Sequence, residues 1–232
     1  MKNKFLITIF LILLNTELFS EELSIEAKNV TLDKTNELTI FKDDVLVRTK
    51  DKVITSNFAS YDKKSGDLIL KINVVAKDSL NNTIETEYAE YNKISKILET
   101  TGKTVITTTD NYILQGDDIF ADGEKKIIKS KKDSILIDSD GNKISLENFE
   151  YIAVENIFKS IGKIKIEDKL KNSYEFSQIY IDTKKKEMLG TDAKAFMNHQ
   201  DFKVNKKNNP RIFANTVKID KDESSYNKSI FT

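Results

Sequence analysis

Cysteine is absent from the 232-residue chain, so no disulfide staples the fold and no thiolate can hold a metal or attack a substrate. Histidine occurs once, as His199 in a polar stretch, which leaves metal clusters and Ser/His/Asp relays short of parts. A solvated imidazole is the simpler reading there. The only arginines are Arg48 and Arg211, too few to build the face of carboxylates and arginines that a polysaccharide-cleaving β-solenoid needs. One proline and seven glycines argue against a linker-rich or fibrous chain. No Gly-rich phosphate loop is present, so nucleotide-driven work is not encoded here. Basic and acidic residues balance at 37 each, which removes the electrostatic footprint of a nucleic-acid binder. The reading is a non-enzyme with no cofactor and no metal.

Long apolar runs are scarce too. The one unbroken run, Phe5 to Leu14, is too short to span a bilayer as a helix. Following Lys2 and Lys4, it fits the positive and apolar regions of a secretory signal, with a cut after Ser20. Residues 1–20 are therefore read as a signal peptide, and the mature part as living outside the cytoplasm; an uncleaved anchor or a buried first helix is the alternative. No cysteine follows the run, which argues against a lipid anchor. Removing it takes away Lys2, Lys4 and Glu17, leaving 35 basic against 36 acidic residues.

What is present is a nine-residue phrase stated seven times: Ile25 to Asp33, Ile54 to Asp62, Ile84 to Asn92, Leu114 to Asp122, Ile144 to Ile152, Tyr174 to Asp182 and Ile212 to Asp220. Successive copies step by 29 or 30 residues, with a last step of 38, a regularity that marks a repeat architecture. Positions one, three, six and eight are apolar or small, as in Ile25, Ala27, Val30 and Leu32. A spacing of two is the period of a half-buried strand, and the slip between positions three and six predicts a bulge that bends it. The ninth position is Asp or Asn in six copies and opens a polar turn.

Between phrases runs a companion strand with the same period, centred on Val45 and Val47, then Val74, Val105, Ile135 and Ile137, Ile164 and Ile166, and Ala193. Together with Ile54, Ile84, Leu114 and Ile144 these form two aliphatic ribs along the long axis. Apolar alternation ordinarily means a closed core. The uniformity of the ribs leaves a second possibility open, a slot between two folded-over sheets that holds acyl chains.

From Glu21 to about Asn198 there is no linker and no shift of composition, and Met188 to Met197 reads better as strand than helix. The stretch Asn198 to Pro210 interrupts the rhythm. The pairs Asp43-Asp44 and Asp117-Asp118 and the lysine-rich stretches at 125–126, 130–132 and 184–186 read as surface and turn residues, although lysines there could meet anionic sugar phosphates. Asp138 to Asn142 resembles a calcium loop with its Gly misplaced, and a hairpin turn is the simpler account.

The repeated phrase ending in Asp, the companion Lys-Thr-Val or Asn-Val after a polar turn, and the export signal resemble the OstA-like family of lipopolysaccharide-transport domains. More narrowly, Asn208 to Ile212, Thr216 to Asp220 and Lys228 to Thr232 are similar to the junction that precedes the barrel in the LptD family of outer-membrane LPS-assembly proteins. The resemblance covers residues 21–232. It implies an all-β, antiparallel β-jellyroll, a folded-over sheet or β-taco of about seven strand-turn-strand repeats of ~30 residues, spanning residues 21–220, with 221–232 as a junction to a barrel. It further implies a periplasmic groove that carries the acyl chains of lipopolysaccharide towards the outer membrane. Partners would be lipopolysaccharide, a periplasmic bridge protein adding its edge at the first strand (Ile25, Ala27, Val30, Leu32), and an assembly lipoprotein at the outer membrane if a barrel is present. The chain departs from the pattern in lacking the barrel and the cysteine often found near the mature N-terminus. A stand-alone periplasmic bridge protein of the same fold is the main alternative.

Overall fold

The structure, a computed structural model, describes residues 23–198, 210–221 and 223–232. The expected signal peptide, His199 and most of the interrupting stretch lie outside the described residues. Two short strands, β1 (Ser24–Glu26) and β2 (Asn29–Asp33), open the chain, followed by β3 (Leu38–Arg48), β4 (Lys52–Asp62), β5 (Asp67–Asp78) and β6 (Thr83–Asn92). In the middle each long strand is cut in two: β7 (Ile97–Thr100) with β8 (Lys103–Thr107), β9 (Ile113–Asp117) with β10 (Phe120–Asp122), β11 (Ile127–Ser130) with β12 (Ser134–Ile137), and β13 (Lys143–Leu146) with β14 (Phe149–Ile152). Long strands resume as β15 (Ile157–Glu167), β16 (Ser173–Asp182), β17 (Glu187–Phe196), β18 (Arg211–Ile219) and β19 (Ser224–Phe231).

Every pairing is antiparallel and joins strands or half-strands that follow one another along the chain. That pattern is an all-β meander, and it excludes the parallel β-solenoid. Met188 lies on β17, as strand. Residues 224–231, expected as part of a junction, contribute β19 to the same sheet.

Each strand bends once near its middle, so the meander folds over into two facing leaves joined along a spine. The upper leaf holds β1, β8, β9, β12, β13 and the matching halves of the long strands; the lower leaf holds β2, β7, β10, β11, β14 and the other halves. The ladder's extra residue sits on the companion strands rather than within the phrase: the register shifts between Lys42 and Val45, Lys71 and Val74, and Ile161 and Ile164. Left-handed backbone at Asp43, Asp44, Ile72, Asn73 and Gly162 makes the corner. Inside the spine the side chains are short hydroxyls, all buried: Ser56, Thr86, Thr100, Thr104, Ser130, Ser134 and Ser160. They take up carbonyls that the broken ladder would orphan, with Ser56 Oγ donating to Phe58 O at 3.0 Å, Ser130 Oγ to Asp117 O at 2.9 Å and Ser160 Oγ to Asn148 O at 2.6 Å.

The phrase-ending acids explain themselves at the lower turns. Asp62 Oδ1 accepts the amides of Lys64 and Ser65, Asn92 Oδ1 those of Ile94 and Ser95, and Asp122 Oδ1 those of Glu124 and Lys125. These are Asx turns, and the bonds hold the Asp62 and Asp122 carboxyls below their usual range. At the upper turns a different pair recurs: Asp78 with Asn82, Asp138 with Asn142 and Asp168 with Asn172, each through two Asp oxygens. In the stretch Asp138 to Asn142 this pairing makes the hairpin turn expected there.

Three expected rib residues point the other way. Val105, Ile135 and Ile137 lie on the outer face, because their neighbours Thr104, Ile106, Ser134 and Leu136 are the buried ones. A shift of one residue flips a strand's side chains, and in these companions aliphatic residues stand on both faces. Counting twelve residues from the ninth position of the first five phrases gives 45, 74, 104, 134 and 164, which is the buried series. Leu136→Ala is expected to cost about 2–5 kcal/mol of unfolding free energy, whereas Ile135→Ala is expected to cost no more than about 0.5 kcal/mol. Denaturant titration of both variants checks the assignment.

Candidate functional site

The space between the leaves is the candidate site. Nine of the twelve expected lining residues face it: Val45, Val47, Ile54, Val74, Ile84, Leu114, Ile144, Ile164 and Ile166, all buried. Sequence reasoning missed the lower leaf's contribution, which includes Ala59, Leu68, Leu70, Leu98, Phe158 and Ile179. These belong to the second half of each phrase and to the start of each companion strand, and the same period-two signal marks them once the bend is allowed for. Phe149 and Phe158 stack with ring centroids 5.7 Å apart. The site is closed in this conformation. Two voids between the leaves measure about 40 Å³, beside Ala76, Ile84, Leu98, Ala121 and Ile128, and about 10 Å³, beside Ile106, Leu114, Leu136 and Phe149. Both ribs lie on the upper leaf and share one core with the lower leaf's side chains, and neither void admits an acyl chain.

Opposite the spine the upper and lower rows of turns meet along a seam. Among the described residues no backbone hydrogen bond crosses it: ladder bonds run within a leaf, and the turn amides bond to turns of their own row, as Ser79 N to Asp51 O and Lys93 N to Gly66 O. Only side chains bridge it. Lys126 Nζ lies 3.2 Å from Asp51 Oδ2, Thr183 Oγ1 donates to Asp110 Oδ2 at 2.9 Å, and Lys186 Nζ lies 3.5 Å from Asp140 Oδ1. Lys52 Nζ also rests 4.9 Å from the centroid of the Tyr91 ring. The turn that carries Asp110 departs from the Asp/Asn pattern of the turns at Asp78, Asp138 and Asp168, with Thr108 and Tyr112 in those places.

The electrostatics of the seam follow from this packing. Burial lowers the Lys52 ammonium from its usual value, with Asp51 opposing that shift and Lys126 adding to it. Burial alone would raise the Asp51 carboxyl, but Lys52, the Thr49 hydroxyl and Lys126 outweigh it and hold the group low. Its contribution to stability is therefore present above the ordinary carboxylate pKa and is lost as pH falls through the lowered value. Burial, followed by the charges of Asp138, Asp140 and Asp110, pushes the Tyr112 hydroxyl up to about 12.

The leaves are offset, since the seam contacts join residues 75 and 73 positions apart in the chain. One consequence is that the lower leaf protrudes at the N-terminal end. Val30 and Leu32 continue the inner face, with Val30 opposite the buried Phe41, yet are 59% and 60% exposed. Ile25 and Ala27 on the upper side still pack against the core, and Arg48 ties β1 to β3 through Glu26. At the other end β19 pairs only with β18 among the described residues, and Phe231, opposite Ile212, is 67% exposed. Both ends thus carry an open strand edge beside an uncovered piece of the inner face. No group of three or more His, Cys, Asp and Glu side chains that could hold a metal ion occurs among the described residues.

No family model and no curated protein matches the chain. Among solved structures it is similar to the crystal structure of LptH, the LptA-homologous periplasmic component of the lipopolysaccharide transport device from Pseudomonas aeruginosa, at 13% identity and a TM-score of 0.21, over 70% of this chain and 77% of that one. A superposition at that score assigns no role to any residue of this chain.

Proposed function

We propose that the chain is a periplasmic carrier of lipopolysaccharide, sheltering acyl chains between its leaves and handing them along its length. The observation that carries this reading is the seam, which holds the two leaves together through side chains alone. Opening it breaks no strand ladder. Burying an acyl chain is worth about 0.8 kcal/mol per methylene, and in the slot such a chain would replace leaf-to-leaf contact by leaf-to-lipid contact of the same apolar kind. The aliphatic lining recurs at every phrase, so neighbouring positions along the slot are similar and a lipid can slide without meeting a deep well.

The two ends support the same reading. At each, an unpaired edge stands beside uncovered inner-face side chains, Val30 and Leu32 at one and Phe231 at the other. A second jellyroll that adds its strand there would cover them and prolong the slot. This geometry serves a stand-alone bridge segment and the periplasmic part of an outer-membrane assembly protein equally well.

The closed interior favours a second reading, a rigid spacer that never opens. Two experiments separate them. A photo-crosslinking residue at Ile84 or Leu136 is expected to form adducts with lipopolysaccharide, and one at Glu85 or Ile135 is expected to form none; the reverse pattern, or equal yields from both faces, removes the carrier. The absence of native cysteine makes a lock simple to build. Joining Asp110→Cys to Thr183→Cys with a short bismaleimide should abolish those inner-face adducts while leaving the circular dichroism spectrum intact. Unchanged adducts in the locked protein would mean that lipid enters by another route.

A further inference from the structure

At the N-terminal end of the seam lies a cleft of about 400 Å³, bordered by upper turns at Thr49 to Asp51 and Ser79, by lower turns at Lys93 to Lys96 and Gly123 to Lys126, and by Leu23 and Tyr91. That volume falls within the range of small-ligand sites. Four lysines line it, Lys50, Lys93, Lys96 and Lys126, against two acids, Asp51 and Glu124. The acids are already engaged, Asp51 with Lys126 and Glu124 with Lys96 at 3.7 Å. Asp51 also answers the buried Lys52 directly beneath. Lys50 and Lys93 have no ion-pair partner among the described residues. The whole chain is neutral, so this excess is local and not a matter of composition. Towards the far end of the seam the sign reverses: a cleft of about 290 Å³ is lined by Asp138, Asp140, Asp168, Glu187 and Asp220 against Lys186 and Lys221.

We propose that the lysine-lined cleft binds a phosphorylated saccharide, the headgroup of the lipid whose chains enter the adjoining seam. The lipid source rests on the carrier reading above. A phosphomonoester suits the cleft better than a carboxylate. Phosphate presents several oxygens at once to separate ammonium groups, whereas bidentate carboxylate recognition favours the arginine fork, and neither arginine lines this cleft. The Ser79 side chain at the rim adds a hydroxyl for a sugar or phosphate oxygen. An anion seated here would also relieve Lys52, whose charge is disfavoured by burial and by Lys126.

The test titrates the full chain with deacylated, phosphorylated lipopolysaccharide saccharide, with the same saccharide after phosphatase treatment, and with inorganic phosphate, read by calorimetry. Saturable binding is expected for the first, and binding weaker by at least about tenfold for the other two and for the Lys50→Gln/Lys93→Gln variant. Those two side chains make no bond to break, so the variant's unfolding midpoint should match that of the parent, and a Lys63→Gln/Lys64→Gln control should bind as the parent does. Equal affinity for inorganic phosphate would reduce the cleft to a general anion site and overturn the proposal, as would indifference to the double substitution. Intact saccharide binding without adducts from Ile84 would sink the carrier reading alone and keep the cleft as a phosphosaccharide site.

Discussion

The bend at the middle of each strand is the constraint from which the rest of the structure follows. A strand that turns its corner must give up ladder bonds there, and the fold meets that cost with buried hydroxyls on the inside and left-handed residues such as Asp43, Asp44, Ile72 and Asn73 on the outside. Because every strand bends at the same place, each leaf keeps a complete ladder of its own. The covalent link between the leaves is concentrated at the spine. At the opposite edge nothing but side chains can join them, and those side chains are polar turn residues lying above an aliphatic interior.

That division of labour gives the two edges different strengths. The spine combines continuous chain with satisfied backbone groups and has no means of separating. The seam has a few charged or hydroxyl bridges, among which the Lys126–Asp51 ion pair is more enclosed than Lys186–Asp140, and exposed pairs of this kind add little stability each. Most of what keeps the leaves together is the burial of residues such as Ile54, Leu70, Ile164 and Ile179. An apolar guest could satisfy those same surfaces. The offset of the leaves then sets the ends, leaving Val30 and Leu32 without a roof and β19 with β18 as its one neighbour among the described residues.

Much of this was legible in the sequence because it depends on local, periodic choices. The seven phrases fall on β1 with β2, β4, β6, β9 with β10, β13 with β14, β16 and β18, and the ninth-position acid announces a turn because Asx bonding is a short-range event. The phase of the middle companions was not legible from apolarity, since Val105 and Ile135 stand next to Ile106 and Leu136 and only the distance from the preceding turn separates the two faces. The hydroxyl spine escaped as well: Ser56, Thr104 and Ser134 are polar residues with an interior role that comes from the corner, a three-dimensional feature. The seam was out of reach for the same reason, because it joins residues such as Asp51 and Lys126, far apart in the chain.

The central claim, that the two leaves part along the seam to admit a lipid, is tested most directly by the distance between them. Spin labels at Asn111→Cys on the upper row of turns and Lys184→Cys on the lower row occupy exposed positions beside the Asp110 and Thr183 contact. Pulsed electron resonance should give a short, narrow distance distribution for the protein alone and a longer one once lipopolysaccharide is added. A distribution that stays unchanged at lipid concentrations where binding is established would contradict the account.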